Sequence, residues 1–342
     1  MRLIRTQEAV GHVICHDITR IIKDQEKGPV FRKGHIVTEE DIPVLLSIGK
    51  ENLYVWEKKE GMLHEDEAAE LLAAACKNDH MRLTEPKEGK IEVITEQDGL
   101  FVVDTERLTA INSIDQMMIA TRNTMQYVKA GDKLAGTRII PLVIEEEKMK
   151  EVSAIAGPDN PILTVKPLVR KRAGVITTGS EVYKGRIKDT FTPVIEEKLQ
   201  AFGAGMVKHI TVSDEKEQII SAIGEMREAG VELIICTGGM SVDPDDLTPA
   251  AIRDSGAAIV TYGAPVLPGA MFLLGYFEDG TPVMGLPGCV MYAKATIFDM
   301  ILPRVLADVT VTKQDIIKLG NGGLCLNCPV CHYPNCGYGK GV

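Results

Sequence analysis

The sequence predicts an α/β protein in which residues 166–310 form a doubly wound, mostly parallel sheet. An N-terminal α+β region (residues 1–165) precedes it and a short Cys-rich tail (318–342) follows it. Three observations carry this expectation. Apolar strands alternate with amphipathic helices from Arg172 to about Leu306, the pattern of right-handed βαβ crossovers. Glycine-bearing loops follow three of those strands directly, where open α/β sheets place their ligands. Four of the eight cysteines crowd into the chain's end.

The N-terminal region reads as short elements. Val10 to Cys15 is a strand, and a Lys27-Gly28-Pro29 turn leads to Val30-Phe31. Thr38-Glu39-Glu40-Asp41 resembles a capping box for a helix from Ile42 to Ile48, which Gly49 ends. A strand from Leu53 to Trp56 and an Ala- and Glu-rich helix from His64 to Asn78 follow. Ile91 to Val103 reads as a hairpin about Gln97-Asp98-Gly99. Ile111, Ile114, Met118 and Met125 have helical spacing across 108–127, and Lys133 to Ile144 returns to strand. The acidic run Glu145 to Glu147, with Gly157-Pro158 and Asn160-Pro161, reads as a connection ending near 165–172.

In the α/β region, Gly174 to Gly179 is a buried strand, and Pro193 to Phe202 a helix closed by Gly203. Met206 to Val212 is the next strand. Asp214, with Glu217 three residues on, reads as the cap of a helix whose buried stripe is Ile219, Ile220, Ile223 and Met226, up to Gly230. Val231 to Cys236 is apolar enough for a strand covered on both faces. One long helix is expected from Val290 to Leu306.

Bulk properties exclude some functions. The 342 residues are 45% hydrophobic and 25% charged, with formal charge −10. That charge argues against general nucleic-acid binding, which needs a basic footprint. No apolar run approaches the ~18 residues of a membrane span, and Met1 to Glu8 lacks an apolar signal core. A cytoplasmic location is the expectation.

Three loops carry the chemistry. In the first, Thr178, Gly179 and Ser180 offer hydroxyls and amides, while Lys184, Arg186 and Lys188 suit an anion. A solvated basic loop is the plainer alternative. In the second, Gly238 and Gly239 let the backbone approach a ligand, with Ser241 beside them. Asp243, Asp245 and Asp246 follow at a spacing that favours a hard cation such as Mg2+; one of them could instead cap the next helix. In the third, Pro287 and Gly288 stand at a helix mouth, or form a structural turn.

Taken together, TTGSE, GRIKDT, CTGGMSVDPDDLTP, VLPGAMFLLG and GLPG resemble, in order and spacing, the molybdopterin-binding domain of molybdenum-cofactor biosynthesis over residues 172–306. That domain also occurs in molybdopterin adenylyltransferases and competence-damage-inducible proteins. The Gly-Gly-Met-Ser-Val stretch and Leu267-Pro268-Gly269 resemble the molybdopterin molybdotransferase (molybdenum insertase) branch most. The resemblance implies molybdopterin or adenylylated molybdopterin as ligand, molybdate as co-substrate, Mg2+, and a homodimer. It also implies catalytic roles for Asp246, Glu181 and Asp189. Ser180, Phe191, Asp243 and Cys289 depart from the family pattern, which has Asp, Asn, Gly and Asn there, and the insertase's C-terminal β-domain is not expected. A non-catalytic pterin carrier or sensor, and an adenylyltransferase, are the competing functions.

Cys325, Cys328, Cys331 and Cys336 have the spacing C-x2-C-x2-C-x4-C. Thiolates so close suit zinc or an iron–sulfur cluster, although the spacing is neither a zinc ribbon nor a ferredoxin run; free thiols on a flexible tail are the alternative.

Overall fold

A computed structural model describes residues 2–22, 26–55, 60–157 and 161–341. It divides into two compact units: Met1–Gln97, Val102–Thr124 and Lys129–Thr164 form one, and Asp98–Phe101, Met125–Val128 and Val165–Val342 the other. The cysteine segment lies inside the second unit. Trp56, Pro158, Asn160 and Val342 fall outside the described residues.

In the first unit, several expectations change. Lys27-Gly28-Pro29 is not a turn but part of strand Glu26–Phe31, paired with Ile18–Ile22; in a two-stranded ribbon Pro29 can face away from its partner. Val10 to Cys15 forms only isolated bridges, Val13 to Ile36 and Ile14 to Val55. Helix Asp41–Ser47 forms without the full capping box expected: its N-cap is Glu40, with no side-chain cap, and only the returning half is present, the Asp41 carboxylate accepting the Thr38 N–H at 2.8 Å and its hydroxyl at 2.9 Å. Helix Glu65–Ala74 is capped by His64 in a capping box with Glu67. The 108–127 helix is instead helix Thr105–Asn112 followed by strand Met117–Thr121. Asn112 brackets Ile119, accepting its N–H at 2.8 Å and donating to its carbonyl at 2.9 Å, which closes the helix and starts the strand. The 145–147 acidic run opens helix Glu146–Ala156 rather than a loop, where its charges complement the helix dipole.

The expected 91–103 hairpin does not form. Strand Lys90–Thr95 pairs within a four-stranded sheet, and Gly99–Val103 belongs to another. Gly99 packs directly on a neighbouring backbone: a Cβ there would lie 2.4 Å from the Lys166 carbonyl oxygen. Leu100 and Phe101 pair instead with Tyr127 and Gln126.

The sheet of the second unit has six strands: β1 Arg172–Thr178, β2 Gly205–Val212, β3 Leu233–Thr237, β4 Ala258–Tyr262, β5 Leu273–Tyr276 and β6 Pro282–Leu286. Their order is β2-β1-β3-β6-β5-β4. The first four in that order run parallel, and β5 runs antiparallel to both its neighbours. The helices are α1 Thr192–Gln200, α2 Lys216–Glu228, α3 Thr248–Asp254, α4 Ile297–Leu306 and α5 Lys313–Lys318.

Strand alternation divides the core between two faces. Val175 and Ile235 pack with Ile195 and Leu199 of α1 and with Ile297 and Ile301 of α4. Ile176, Ile234 and Cys236 pack on the other face with Ile219, Ile223 and Met226 of α2 and Ile252 of α3. The chain leaves β1 toward one edge and β3 toward the other, so the crevice at their carboxyl ends is the topological switch point.

Two helix starts differ from expectation. The single helix from Val290 is a 3-10 turn, Gly288–Met291, and then α4. A capping box sets the later start: the Thr296 side chain accepts the Phe298 N–H, and Asp299 accepts the Thr296 N–H at 2.7 Å. At α2, Asp214 does not cap, because its carboxylate is used elsewhere.

Candidate functional site

The first loop leaves β1 through Gly179, at φ +140°, whose N–H donates to the Val212 carbonyl at 3.3 Å. Ser180 then opens a single helical turn, Ser180–Tyr183. Its N–H donates at 2.8 Å to the carboxylate of Asp214, which follows β2. The amide expected to meet a phosphate is thus held by a carboxylate of the chain itself. Glu181, Lys184, Arg186 and Lys188 are exposed around it.

Asp189 closes this loop and is engaged on both oxygens. One accepts the Phe191 and Thr192 N–H groups at 2.8 and 3.0 Å. The other accepts the Thr177 and Thr192 hydroxyls at 3.1 and 2.6 Å. His209 of β2 stands 2.9 Å from the Thr177 hydroxyl and 3.7 Å from Asp189. Burial alone would raise the Asp189 pKa, but the hydrogen bonds from Thr192, Phe191 and Thr177 outweigh it and hold the group below the usual carboxylate range. This geometry starts α1 and fixes the loop's far end.

The second loop leaves β3 through Gly238 and Gly239, at φ +85° and +55°. Both glycines are required by space as well as by backbone angle. A Cβ on Gly238 would fall 2.2 Å from the Thr178 carbonyl oxygen, and one on Gly239 would fall 2.7 Å from the Thr248 hydroxyl. Thr248, at the start of α3, donates to the Gly238 carbonyl at 2.9 Å, and its hydroxyl lies 3.3 Å from that of Thr178. Thr178 and Thr248 are buried, so the two loops share a hydroxyl-lined floor.

The same loop carries the carboxylates. Ser241, Asp243 and Asp245 are exposed and Asp246 is half-buried. The Asp246 carboxylate accepts the Asp243 N–H at 3.3 Å, and its own N–H donates to the Asp243 carbonyl at 2.9 Å. None of the three caps α3, which starts at Thr248 without a side-chain cap. From β4, the Tyr262 hydroxyl donates to the Met240 carbonyl at 3.1 Å, tying down the loop. Burial, and then the nearby Asp246 charge, raises the Tyr262 pKa.

In the third loop Pro287 is buried, Gly288 exposed and Cys289 half-buried. The Thr190 hydroxyl donates to the Met291 sulfur at 3.3 Å, which joins the first loop to the third. Among the described residues, no three His, Cys, Asp or Glu side chains are gathered as a single metal ion requires. That holds for Asp243 with Asp246 and for the tail cysteines. Cys325 and Cys336 are half-buried, Cys328 and Cys331 exposed, and all four line one cavity.

The sequence did not single out His209, Thr248 or Tyr262, and it gave Asp214 a different task. Thr248 carried a signal, a hydroxyl before a Pro at a helix start. The roles of the other three depend on which strand ends become neighbours.

With this geometry in place, comparison with known proteins is informative. A family model described as "Probable molybdopterin binding domain" matches residues 174–307. This segment belongs to the molybdopterin-binding domain family. A second model, for a domain of unknown function, matches residues 3–57. A CinA-like protein of Mycobacterium leprae is 37% identical over 82 residues, 24% of this chain and 19% of that protein. One of Citrifermentans bemidjiense is 37% identical over 89 residues, 26% of this chain and 21% of that protein. The matched part is thus about a fifth of the length of these relatives. Among solved structures, the molybdopterin biosynthesis enzyme MoaB of Thermus thermophilus aligns at TM-score 0.35 and 22% identity, over 39% of this chain and 91% of that one. The tungsten cofactor synthesizing protein MoaB of Pyrococcus furiosus aligns at 0.34 and 22%, over 40% and 92%. The mixed α/β architecture stands on the strand order above, independently of these alignments.

Proposed function

We propose that the crevice between the β1 and β3 loops binds molybdopterin or adenylylated molybdopterin, and that the chain inserts molybdate into it with Mg2+. The observation that carries this reading is the packed floor of Thr178, Gly238 and Thr248 at the switch point, where one of the two loops carries exposed cations and the other carboxylates. Thr178, Gly179, Ser180, Gly238, Gly239, Ser241, Pro287 and Gly288 would contact the pterin phosphate and its substituents. Lys184, Arg186 and Lys188 would attract the anion.

Asp243 and Asp246 offer the oxygen ligands that Mg2+ prefers; Mg2+, when bound, would neutralise charge on the phosphoanhydride. Asp243 is exposed and Asp246 half-buried, so solvent reaches both carboxylates. Asp246 and Glu181 would act at the reacting phosphate, and Asp189 through the loop it fixes. A homodimer and a cytoplasmic location belong to the same proposal; among the described residues no helix is long and apolar enough to cross a membrane. The tail cysteines would ligate zinc or an iron–sulfur cluster.

A second reading, a non-catalytic pterin carrier or sensor, is favoured by one observation: Asp214 already occupies the Ser180 N–H. Adenylyl transfer from ATP is a third. The test is to purify the chain with its natural ligand, identify pterin and metal by mass spectrometry, and add molybdate. Bound adenylylated pterin that releases AMP supports insertion. Bound pterin without release supports the carrier, and ATP consumption with free pterin supports adenylyl transfer.

A further inference from the structure

The cysteine segment is irregular in backbone yet firmly attached. Leu267 donates its N–H to the Gly323 carbonyl and accepts the Cys325 N–H, both at 2.8 Å. At the far end, the Gly339 N–H donates to the Gly322 carbonyl at 3.0 Å. Between these ties, the Tyr333 hydroxyl donates to the Asp299 carbonyl at 3.2 Å, and the Tyr338 hydroxyl to the Pro268 carbonyl at 3.1 Å. The Gln126 side chain donates to the Pro334 carbonyl at 3.1 Å. The segment is therefore a loop closed on itself and anchored at five points, not a loose end.

Inside that loop, Cys325, Cys328, Cys331 and Cys336 line one cavity of about 780 Å3, with His332 beside them. Tyr292 to Ala295 also line it, the stretch that continues directly from the third loop. None of the four sulfurs is in a disulfide. A single zinc ion would need four donors within about 2.3 Å of one point, and the thiols are not gathered in that way. The cavity is some twenty-five times the ~30 Å3 share of a water molecule. Four thiols spread around such a space match a polynuclear group, which takes one or two thiolates at each of several metals.

We propose that this cavity is the site of a polynuclear iron–sulfur cluster held by Cys325, Cys328, Cys331 and Cys336, seated against the Tyr292–Ala295 wall of the third ligand loop. The proposal rests on reading the four cysteines as metal ligands and makes that reading specific. Each thiol loses its proton as it ligates. The cluster fixes the exposed pair, Cys328 and Cys331, to the anchored pair, Cys325 and Cys336.

The test uses the full chain, purified without oxygen and supplied with ferric iron, a thiol reductant and sulfide. Iron, sulfide and zinc are counted per chain, and the visible absorption and the electron paramagnetic resonance of the reduced protein are recorded. The expected result is about two or about four irons per chain with matching sulfide, a cluster spectrum, and a higher melting temperature. Cys328→Ser with Cys331→Ser should lose at least nine-tenths of the iron while keeping the wild-type far-ultraviolet dichroism. Cys331→Ser alone, at an exposed position, serves as the second variant and should lose most of it. One zinc per chain with no iron taken up overturns the cluster and keeps the metal reading of the tail. No metal of either kind, with four tail thiols titrating freely, overturns both.

Discussion

The crevice and the cysteine cavity lie in one compact unit but are built in opposite ways. In the crevice, polar groups are already satisfied by one another: Asp189 takes four hydrogen bonds, Asp214 takes the Ser180 N–H, and Thr248 ties its hydroxyl to Gly238. In the cysteine cavity the order comes from the loop's ends and its tyrosines, while the four thiols in the middle take no disulfide. The first region is preorganised by the protein, which lowers the cost of ordering a bound ligand. Under the cluster proposed above, the second would depend on what it ligates. Substitution should therefore harm the crevice through its floor, and the cysteine cavity, on that proposal, through loss of bound metal.

The largest effect is expected at Gly238. Gly238→Ala places a methyl 2.2 Å from the Thr178 carbonyl oxygen at a φ of +85°, so the β1 and β3 loops must separate. Thermal melts should show a loss of about 2–3 kcal/mol, and the pterin-induced rise in melting temperature should disappear. An unchanged rise would mean that the ligand sits away from this floor.

Asp189 comes next. Asp189→Ala removes the acceptor that starts α1, at about 1–2 kcal/mol. The sign with pH follows from its lowered folded pKa. The stability it adds is complete above its unfolded value, near pH 4, and is lost as pH falls through the lower folded value. The gap between wild type and variant in denaturant titrations should accordingly be full at pH 7 and shrink in acid. A gap that widens in acid would contradict the assignment.

A smaller effect, of opposite direction, is expected at Asp214. Asp214→Asn keeps the side chain's shape but removes a negative charge from the Ser180 amide. Calorimetric titration should find the phosphate-bearing ligand bound more tightly, by up to about tenfold or 1.4 kcal/mol. Weaker binding would mean that the Asp214 charge supports the site and does not compete with the ligand.

Legibility in the sequence follows the same division between local and non-local causes. The strands around Val175 and Ile235 were readable because a strand buried on both faces must be apolar throughout. The three loops were readable because glycine at a strand exit has few other reasons to be there. The task of Asp214 was not readable, since a carboxylate after a strand has the same local signature whether it caps a helix or takes an amide from another loop. Met118 and Met125 continue the helical spacing of Ile111 and Ile114, and only the bracketing of Ile119 by Asn112 turns the chain into a strand there; Gly99 reads as a hairpin turn although another backbone occupies its open side. For the tail, spacing revealed the four cysteines, but the wall from Tyr292 to Ala295 is supplied by a segment far away in sequence.

Molybdenum insertion by the β1 and β3 loops, with Asp246 at the metal as proposed, is tested most directly by AMP release. Protein loaded with adenylylated molybdopterin and Mg2+ is given molybdate, and AMP release is followed for wild type, Asp246→Asn and Asp254→Asn. Asp254 serves as the control, because it lies on α3 in an ion pair with Lys216 on α2, where exposed pairs contribute at most about 1 kcal/mol. The account predicts AMP release by wild type and Asp254→Asn, and a loss of about a hundredfold or more in Asp246→Asn with its fold intact. Full release by Asp246→Asn, or none by wild type that holds the pterin, would contradict it.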